Sequence, residues 1–270
     1  AINSIRGSAL HTLMFCYYDK NFEEIIFSTI EKIISKPLCN DSLKVMILHL
    51  LGYLNYLNIE RAFKIFVELT KTDNLEILKS SLNTAQYFNN KYHADMNYYF
   101  ETLLNNSELH KQSYLLISSW LLGLDNEKKL YYRFISTGKN AKLCAIDVSE
   151  EFLINEGDKT VNKDALSILY EFINEKDKDI ADEYAFIILR KFKPNNFVDF
   201  FDFLKEYSKS ELCRKHPNYF LQYLLKCSKD YPEECMELLE NMNFENIPNI
   251  QERGYYDKEP VQLILGIYSK

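Results

Sequence analysis

Glycine and proline are both scarce here, at seven and six residues in 270. So few turn-formers leave little material for the tight reversals of a β-sandwich or barrel, and helices joined by short polar links are expected instead. No apolar run reaches the roughly 18 residues that a membrane span requires, and the chain opens without a secretory leader, so membrane association is not expected. A dense cysteine framework is also missing. The six cysteines stand at 16, 39, 144, 213, 227 and 235, most of them inside apolar helical stretches. That distribution suits buried, reduced thiols in a cytoplasmic protein. An excess of basic residues is absent too. Against 32 Lys and Arg stand 39 Asp and Glu, for a net charge of −7. Such a chain is a poor non-specific ligand for phosphate backbones, which argues against a nucleic-acid partner.

What the chain does have is aromatic bulk, with 20 Tyr and 18 Phe beside one Trp. Tyr suits half-buried helix contacts, where one end packs and the other stays wet. At this length a single compact core is exceeded, so either two domains or an elongated repeat array is expected. No linker or shift of composition divides the chain, and it reads as one all-α domain over 1–270. Both ends look cut, with Ala-Ile-Asn at the start and a helix-like Val261 to Tyr268 at the finish, and a piece of a larger protein is expected.

Apolar spacing predicts about fifteen helices and no strand. The most regular stretch is Asp41 to Leu54, with Asp41 as its cap and a basic residue, Lys44, in its first turn. A partner helix follows over Glu60 to Thr70. Pro37 and Pro194 end helices, while Pro217 and Pro232 open them. A last helix is expected from Pro260.

The helices come in pairs and the pairs recur. Early basic residues fall at Arg6, Lys44, Lys79, Lys111 and Lys142, in steps of 38, 35, 32 and 31. Nine positions after the first four stand Phe15, Tyr53, Phe88 and Trp120. A hairpin recurring every 31 to 40 residues or so is the mark of an α-solenoid, HEAT-like or TPR-like, here of about seven hairpins. Equivalent positions of stacked hairpins fall in rows. Arg6, Lys44, Lys79 and Lys111 are therefore the candidate binding residues, a basic ladder that either pairs with neighbouring acids, such as Asp41 beside Lys44, or meets an acidic partner.

Reaction chemistry is not found. Gly138-Lys139 lacks the upstream glycine of a phosphate loop, and neither a nucleophile elbow nor a His-Glu-x-x-His pair occurs. Cys213, His216, Cys227 and Cys235 lack the two close pairs of a structural zinc site, so no metal and no cofactor is expected. His49, on an apolar helix, reads as a core or groove histidine, and His93 and His110, near helix ends, as solvated. The acidic doublets Glu23-Glu24, Glu150-Glu151 and Glu233-Glu234 point about 100° apart on a helix and read as solvated charge.

The opening Ile2-Asn3-Ser4-Ile5-Arg6-Gly7-Ser8-Ala9 resembles the Asn-[Ser/Thr]-[Val/Ile]-Arg-Gly-x-Ala start of the C-terminal helical regions of large bacterial antiviral STAND ATPases of the Avs type. Glu259-Pro260-Val261, with Leu263-Ile264-Leu265 and Tyr268, is similar to the same region, and the Asp-Ser-x-Lys unit is loosely similar to HEAT-like repeats. In that family the C-terminal solenoid is a sensor that grips a phage protein, while effector and ATPase lie upstream and active assemblies are oligomers. The resemblance implies a non-enzymatic sensor fragment whose partner is a phage structural or packaging protein. Two other expectations stand beside it, a scaffold or adaptor solenoid with a host protein partner, and a HEAT-like nucleic-acid enzyme with a basic groove.

Overall fold

A computed structural model of the chain describes residues 5–16, 19–36, 39–155 and 160–242. Among these are fourteen α-helices and no strand, with one isolated antiparallel bridge between Ile154 and Val161. The helix expected from Pro260 lies outside the described residues. The residues group into two compact units, Ala1–Thr137 and Gly138–Lys270. The division carries no linker. It falls at Gly138, whose φ of 125° and ψ of −160° belong to a region that essentially only glycine enters.

The first unit begins with α1 (Ile5–Met14) and α2 (Glu23–Ile34), the latter led in by a 3₁₀ turn that Asp19 caps. Next comes α3 (Asp41–Thr70), whose true cap is Asn40: its Oδ1 accepts from the Leu43 amide at 3.0 Å, and Asp41 sits inside the first turn. Asn58 breaks α3 with φ −152° and ψ 94°. Its Oδ1 recaps the second limb by accepting from the Arg61 amide, while its Nδ2 donates to Glu23 on α2. One residue thus makes the turn of a hairpin and ties that hairpin to the one before. Asn74 caps α4 (Leu75–Tyr92), and a 3₁₀ segment leads to α5 (Asn97–Asn105). Helices α6 (Leu115–Leu121) and α7 (Lys129–Ile135) complete the unit. The sequence suggests one helix over Leu109 to Leu124; instead the 3₁₀ segment Ser107–Gln112 precedes α6.

The second unit holds α8 (Lys139–Phe152), α9 (Lys163–Phe172, capped by Asn162), α10 (Lys178–Arg190, capped by Asp177) and α11 (Phe197–Lys209). After α12 (Glu211–Lys215), the prolines open α13 (Pro217–Cys227) and α14 (Pro232–Asn241) as expected. Proline at a first helical position lacks only an amide that would have gone unbonded.

Within each unit every hairpin packs on the next. In the first, α3 lies on α1 and α2, α4 on α3 and α6, and α5 on α7; in the second, α10 lies on α8, α12 and α13, and α11 on α14. The core of the second unit is strongly aromatic, with Tyr184, Phe203, Tyr207, Phe220 and Tyr223 buried in mutual ring contact. Each such side chain contributes on the order of 1.5–3 kcal/mol through its removal from water.

The polar links between successive hairpins span 30 to 40 residues. In the first unit Arg61 reaches Glu24 (2.6 Å) and Glu31 (2.9 Å), and Arg133 forks onto Glu101 (2.6 and 2.7 Å). In the second, Arg190 meets Glu150 (2.7 Å), Lys139 meets Asp177 (2.9 Å), and Lys205 meets Glu237. Glu24, Glu151 and Glu233 are exposed, as the reading of the acidic doublets has it, while Glu150 departs from that reading. Glu23 and Glu24 bond Asn58 and Arg61, and the Glu150 side chain is only 12% exposed.

Candidate protein-binding surface

The basic ladder is the natural starting point. Arg6 lies in the backbone of α1, with its side chain outside the described residues. Lys44 is half-buried and pairs with Asp41 of its own first turn at 3.5 Å; Lys79 repeats this with Glu76 at 3.6 Å. Lys111 is exposed on the 3₁₀ segment after α5 and forms no ion pair among the described residues. Among the described residues, Lys44 and Lys79 each pair within their own helix.

Register between neighbouring hairpins is set by α3 and α4. Helices α3 and α4 run side by side in the same direction. The Asn74 amide donates to the Asp41 carboxylate at 2.8 Å, Thr84 Oγ1 donates to the Leu48 carbonyl at 2.9 Å, and the Tyr87 ring lies on Gly52. Their caps, Asn40 and Asn74, are 34 residues apart. At a step of 34, Leu43, Ile47, Leu50, Leu51 and Leu54 correspond to Ile77, Ser81, Thr84, Ala85 and Phe88, all buried. At the same step His49, Tyr53 and Tyr56 correspond to Asn83, Tyr87 and Asn90, all exposed. The second limbs keep this step, with Phe66 answered by Phe100 and Leu69 by Leu103 in the core. Lys44 to Lys79 is a step of 35, one too many, so Lys44 falls opposite Leu78 and Lys79 opposite Val45.

The row that does align is aromatic. Tyr53 is 48% exposed, Tyr56 77% and Tyr87 53%. Gly52 makes room for this arrangement: a Cβ there would stand 2.9 Å from Cε2 of Tyr87, closer than real contacts allow. His49, expected in a core or groove, is exposed on the same face one turn earlier. The face is also uncharged. From Val45 to Ile59 and from Ser80 to Asn90 there is no Asp, Glu, Lys or Arg, in a chain that is 26% charged. Exposed Tyr with Asn and His offers large rigid contact area and adaptable hydrogen bonding at low entropic cost, which is the composition of recognition surfaces.

Among the described residues no cluster of three or more His, Cys, Asp or Glu could hold a metal ion. Cys213, Cys227 and Cys235 are buried, and burial pushes their thiols up, Cys227 to about 11 and Cys235 to about 12. Such thiols are inert at neutral pH. His216 lies instead against Asp182, at 2.5 Å. His110, expected in solvent, is buried. Its Nε2 meets the Leu104 carbonyl at 3.0 Å and its Nδ1 the Thr137 hydroxyl at 3.2 Å, so it closes the end of α5. Among the described residues, the one carboxyl driven far from its ordinary range is Asp147, raised to about 6 by burial and by Glu183, Glu150 and Glu151, with Arg190 opposing. A cavity of about 300 Å³ among Ala9, Leu10, Leu13, Thr29, Ile33 and Leu43 is apolar and brings no reacting groups together. No family model, curated protein or solved structure matches the chain.

Sequence reasoning passed over the tyrosine face although two signals for it were present: the 34-residue spacing of Asn40 and Asn74, and the two charge-free runs.

Proposed function

We propose that the chain is a protein-recognition module, an α-solenoid of stacked helical hairpins whose tyrosine face grips a partner protein. The observation that carries this reading is the uncharged exposed face of α3 and α4, with Tyr53 and Tyr87 at equivalent positions of successive hairpins. The solenoid reading is supported by polar links that recur at 30 to 40 residues within both units, the length of one hairpin. Following the resemblance at Ile2 to Ala9, the module is the sensor of a larger bacterial antiphage STAND ATPase, and the partner is a phage structural or packaging protein. Of that motif, residues 2–4 lie outside the described residues, as does the whole of the second motif at 259–268.

The test is direct binding of the purified chain to individual phage packaging and virion proteins, compared with the Tyr53→Ala/Tyr87→Ala double variant. Capture of one such protein by the wild type, with loss in the variant, is the expected result. Failure to bind any of them removes the sensor reading. Binding that is indifferent to both tyrosines removes this face as the recognition surface.

A further inference from the structure

We propose that the cavity between α1, α2 and the start of α3 is a binding site for the hydrocarbon part of a small amphiphile. The site shares no residue with the tyrosine face and does not rest on the recognition reading. Its volume is about 300 Å³. Leu10 and Leu43 are its buried part. Ala9 is exposed, and Leu13, Thr29 and Ile33 are half-buried, so these four stand where it opens to solvent.

Space of this size inside a hairpin joint calls for an occupant. Protein interiors are packed about as densely as organic crystals, and voids larger than a water molecule are few. The neighbouring joint of α3 with α4 shows how this chain fills such a place, with the rings of Phe63, Phe66 and Phe88 in mutual contact. The six residues that line the cavity include no ring, in a chain that has 20 Tyr and 18 Phe.

The lining selects the class of ligand. An ordered water needs roughly two to four polar partners, and here the side chains offer the single hydroxyl of Thr29. An ionic group would give up its hydration with no countercharge among these residues. A nucleobase or a quaternary ammonium group would find no aromatic face. A hydrocarbon group matches the wall, because ligand and leucines leave water together. Size follows by comparison. An apolar cavity of about 150 Å³ takes up benzene, so one of about 300 Å³ accommodates roughly ten carbons. The polar head of the ligand then stays at the mouth beside Thr29, in solvent.

The experiment titrates straight-chain primary alcohols, from butanol to dodecanol, into the full chain with isotope-labelled Leu and Ile methyl groups. The methyl resonances of Leu10, Leu13, Ile33 and Leu43 are expected to shift saturably, while those of Leu221 and Leu224, buried in the second unit, stay in place. Affinity should rise about fourfold for each added methylene. It should level off at roughly ten carbons, where the cavity is full. Ala9→Phe sets a ring at the mouth that takes up about half of the space, so its plateau should come at about six carbons. Thr29→Val removes the hydroxyl and should leave decanol affinity within about twofold, because the ligand is held by its hydrocarbon.

No saturable shift with any alcohol overturns the proposal, as does affinity indifferent to chain length or a plateau that Ala9→Phe leaves in place. Equal shifts in the second unit mean non-specific partition and overturn it too. A loss beyond about tenfold in Thr29→Val would identify a polar ligand instead. If the chain sediments as a dimer that decanol dissociates, the cavity is an interface between copies and the proposal falls. Should Ala9→Phe lower the thermal midpoint, the chain-length series and the methyl map of the wild type decide by themselves.

Discussion

The side-chain amide of Asn74 donates to the carboxylate of Asp41 at 2.8 Å, while its own Oδ1 accepts from the backbone amides of Glu76 and Ile77. One side chain both starts α4 and sets it 34 residues out of phase with α3. Asn74→Ala removes cap and tie together, and a loss of about 1–2 kcal/mol is expected in urea unfolding. Asn74→Asp keeps the cap oxygen but places a second carboxylate against Asp41. It should recover only part of the loss, and adding Asp41→Asn should recover more. Equal stability of Asn74→Ala and of Asn74→Asp, each in the Asp41→Asn background where the repulsion is gone, would mean that the cap contributes nothing.

Arg61 should matter more than its neighbour Lys64. The Arg61 guanidinium holds Glu31 with both Nε and Nη2 and Glu24 with Nη1, and only 23% of the side chain is exposed. The Glu31 and Glu24 hydrogen bonds raise its pKa further above its ordinary value. Lys64 pairs with Glu60 on the open surface. Arg61→Ala is expected to cost about 1–2 kcal/mol and Arg61→Lys nearly as much, because an ammonium cannot fork onto two acids at once. Lys64→Ala should stay within about 0.5 kcal/mol of the wild type. Full rescue by lysine at 61 would show that charge alone is at work.

Much of this fold is legible in the sequence, and the places where it is not have a common cause. Helix-opening prolines act within four residues, so Pro217 and Pro232 declare themselves, whereas the cap of α3 is misread by one position, Asp41 for Asn40. Register between hairpins is set by contacts about 34 residues away, and a helix turns 100° per residue. A slip of one position therefore swaps Tyr87, on the surface, for Phe88, in the core. The pairing of Tyr53 with Phe88 and of Lys44 with Lys79 both carry that slip, and the aromatic face disappears with it. The misplacement of His110 is of the same kind. Its burial depends on Thr137, 27 residues on, which no local pattern reveals.

Tyr207 offers a stabilising change. Its ring is fully buried against Tyr184 and Phe220, and its hydroxyl has no hydrogen-bond partner among the described residues. An unmet buried hydroxyl costs about 1–3 kcal/mol, and phenylalanine keeps the ring contacts without it. Tyr207→Phe is expected to raise the unfolding free energy by about 1 kcal/mol. A drop in thermal midpoint would show that the hydroxyl is satisfied in solution.

Asp147 sets the expected pH dependence. Its carboxyl titrates near 6 in the folded chain, because burial and the acids at 183, 150 and 151 all disfavour the anion, with only Arg190 against them. In the unfolded chain it titrates near 4. The folded state therefore binds the proton more tightly. The stabilisation that the proton brings is complete below about pH 4 and is lost as pH rises through about 6. A shift of about two units has a ceiling near 3 kcal/mol. Asp147 is only half-buried, however, and solvent screening reduces the expected effect to about 1 kcal/mol. Asparagine has nothing to lose in that window. Asp147→Asn should thus stabilise the chain by about 1 kcal/mol at pH 7.5 relative to its effect at pH 4.5, a difference that urea titrations at the two pH values would read directly. The same change at both pH values would mean that Asp147 titrates as an ordinary carboxyl. A loss confined to high pH would mean that its anion is held by Arg190 and that the acids around it count for less than their proximity implies.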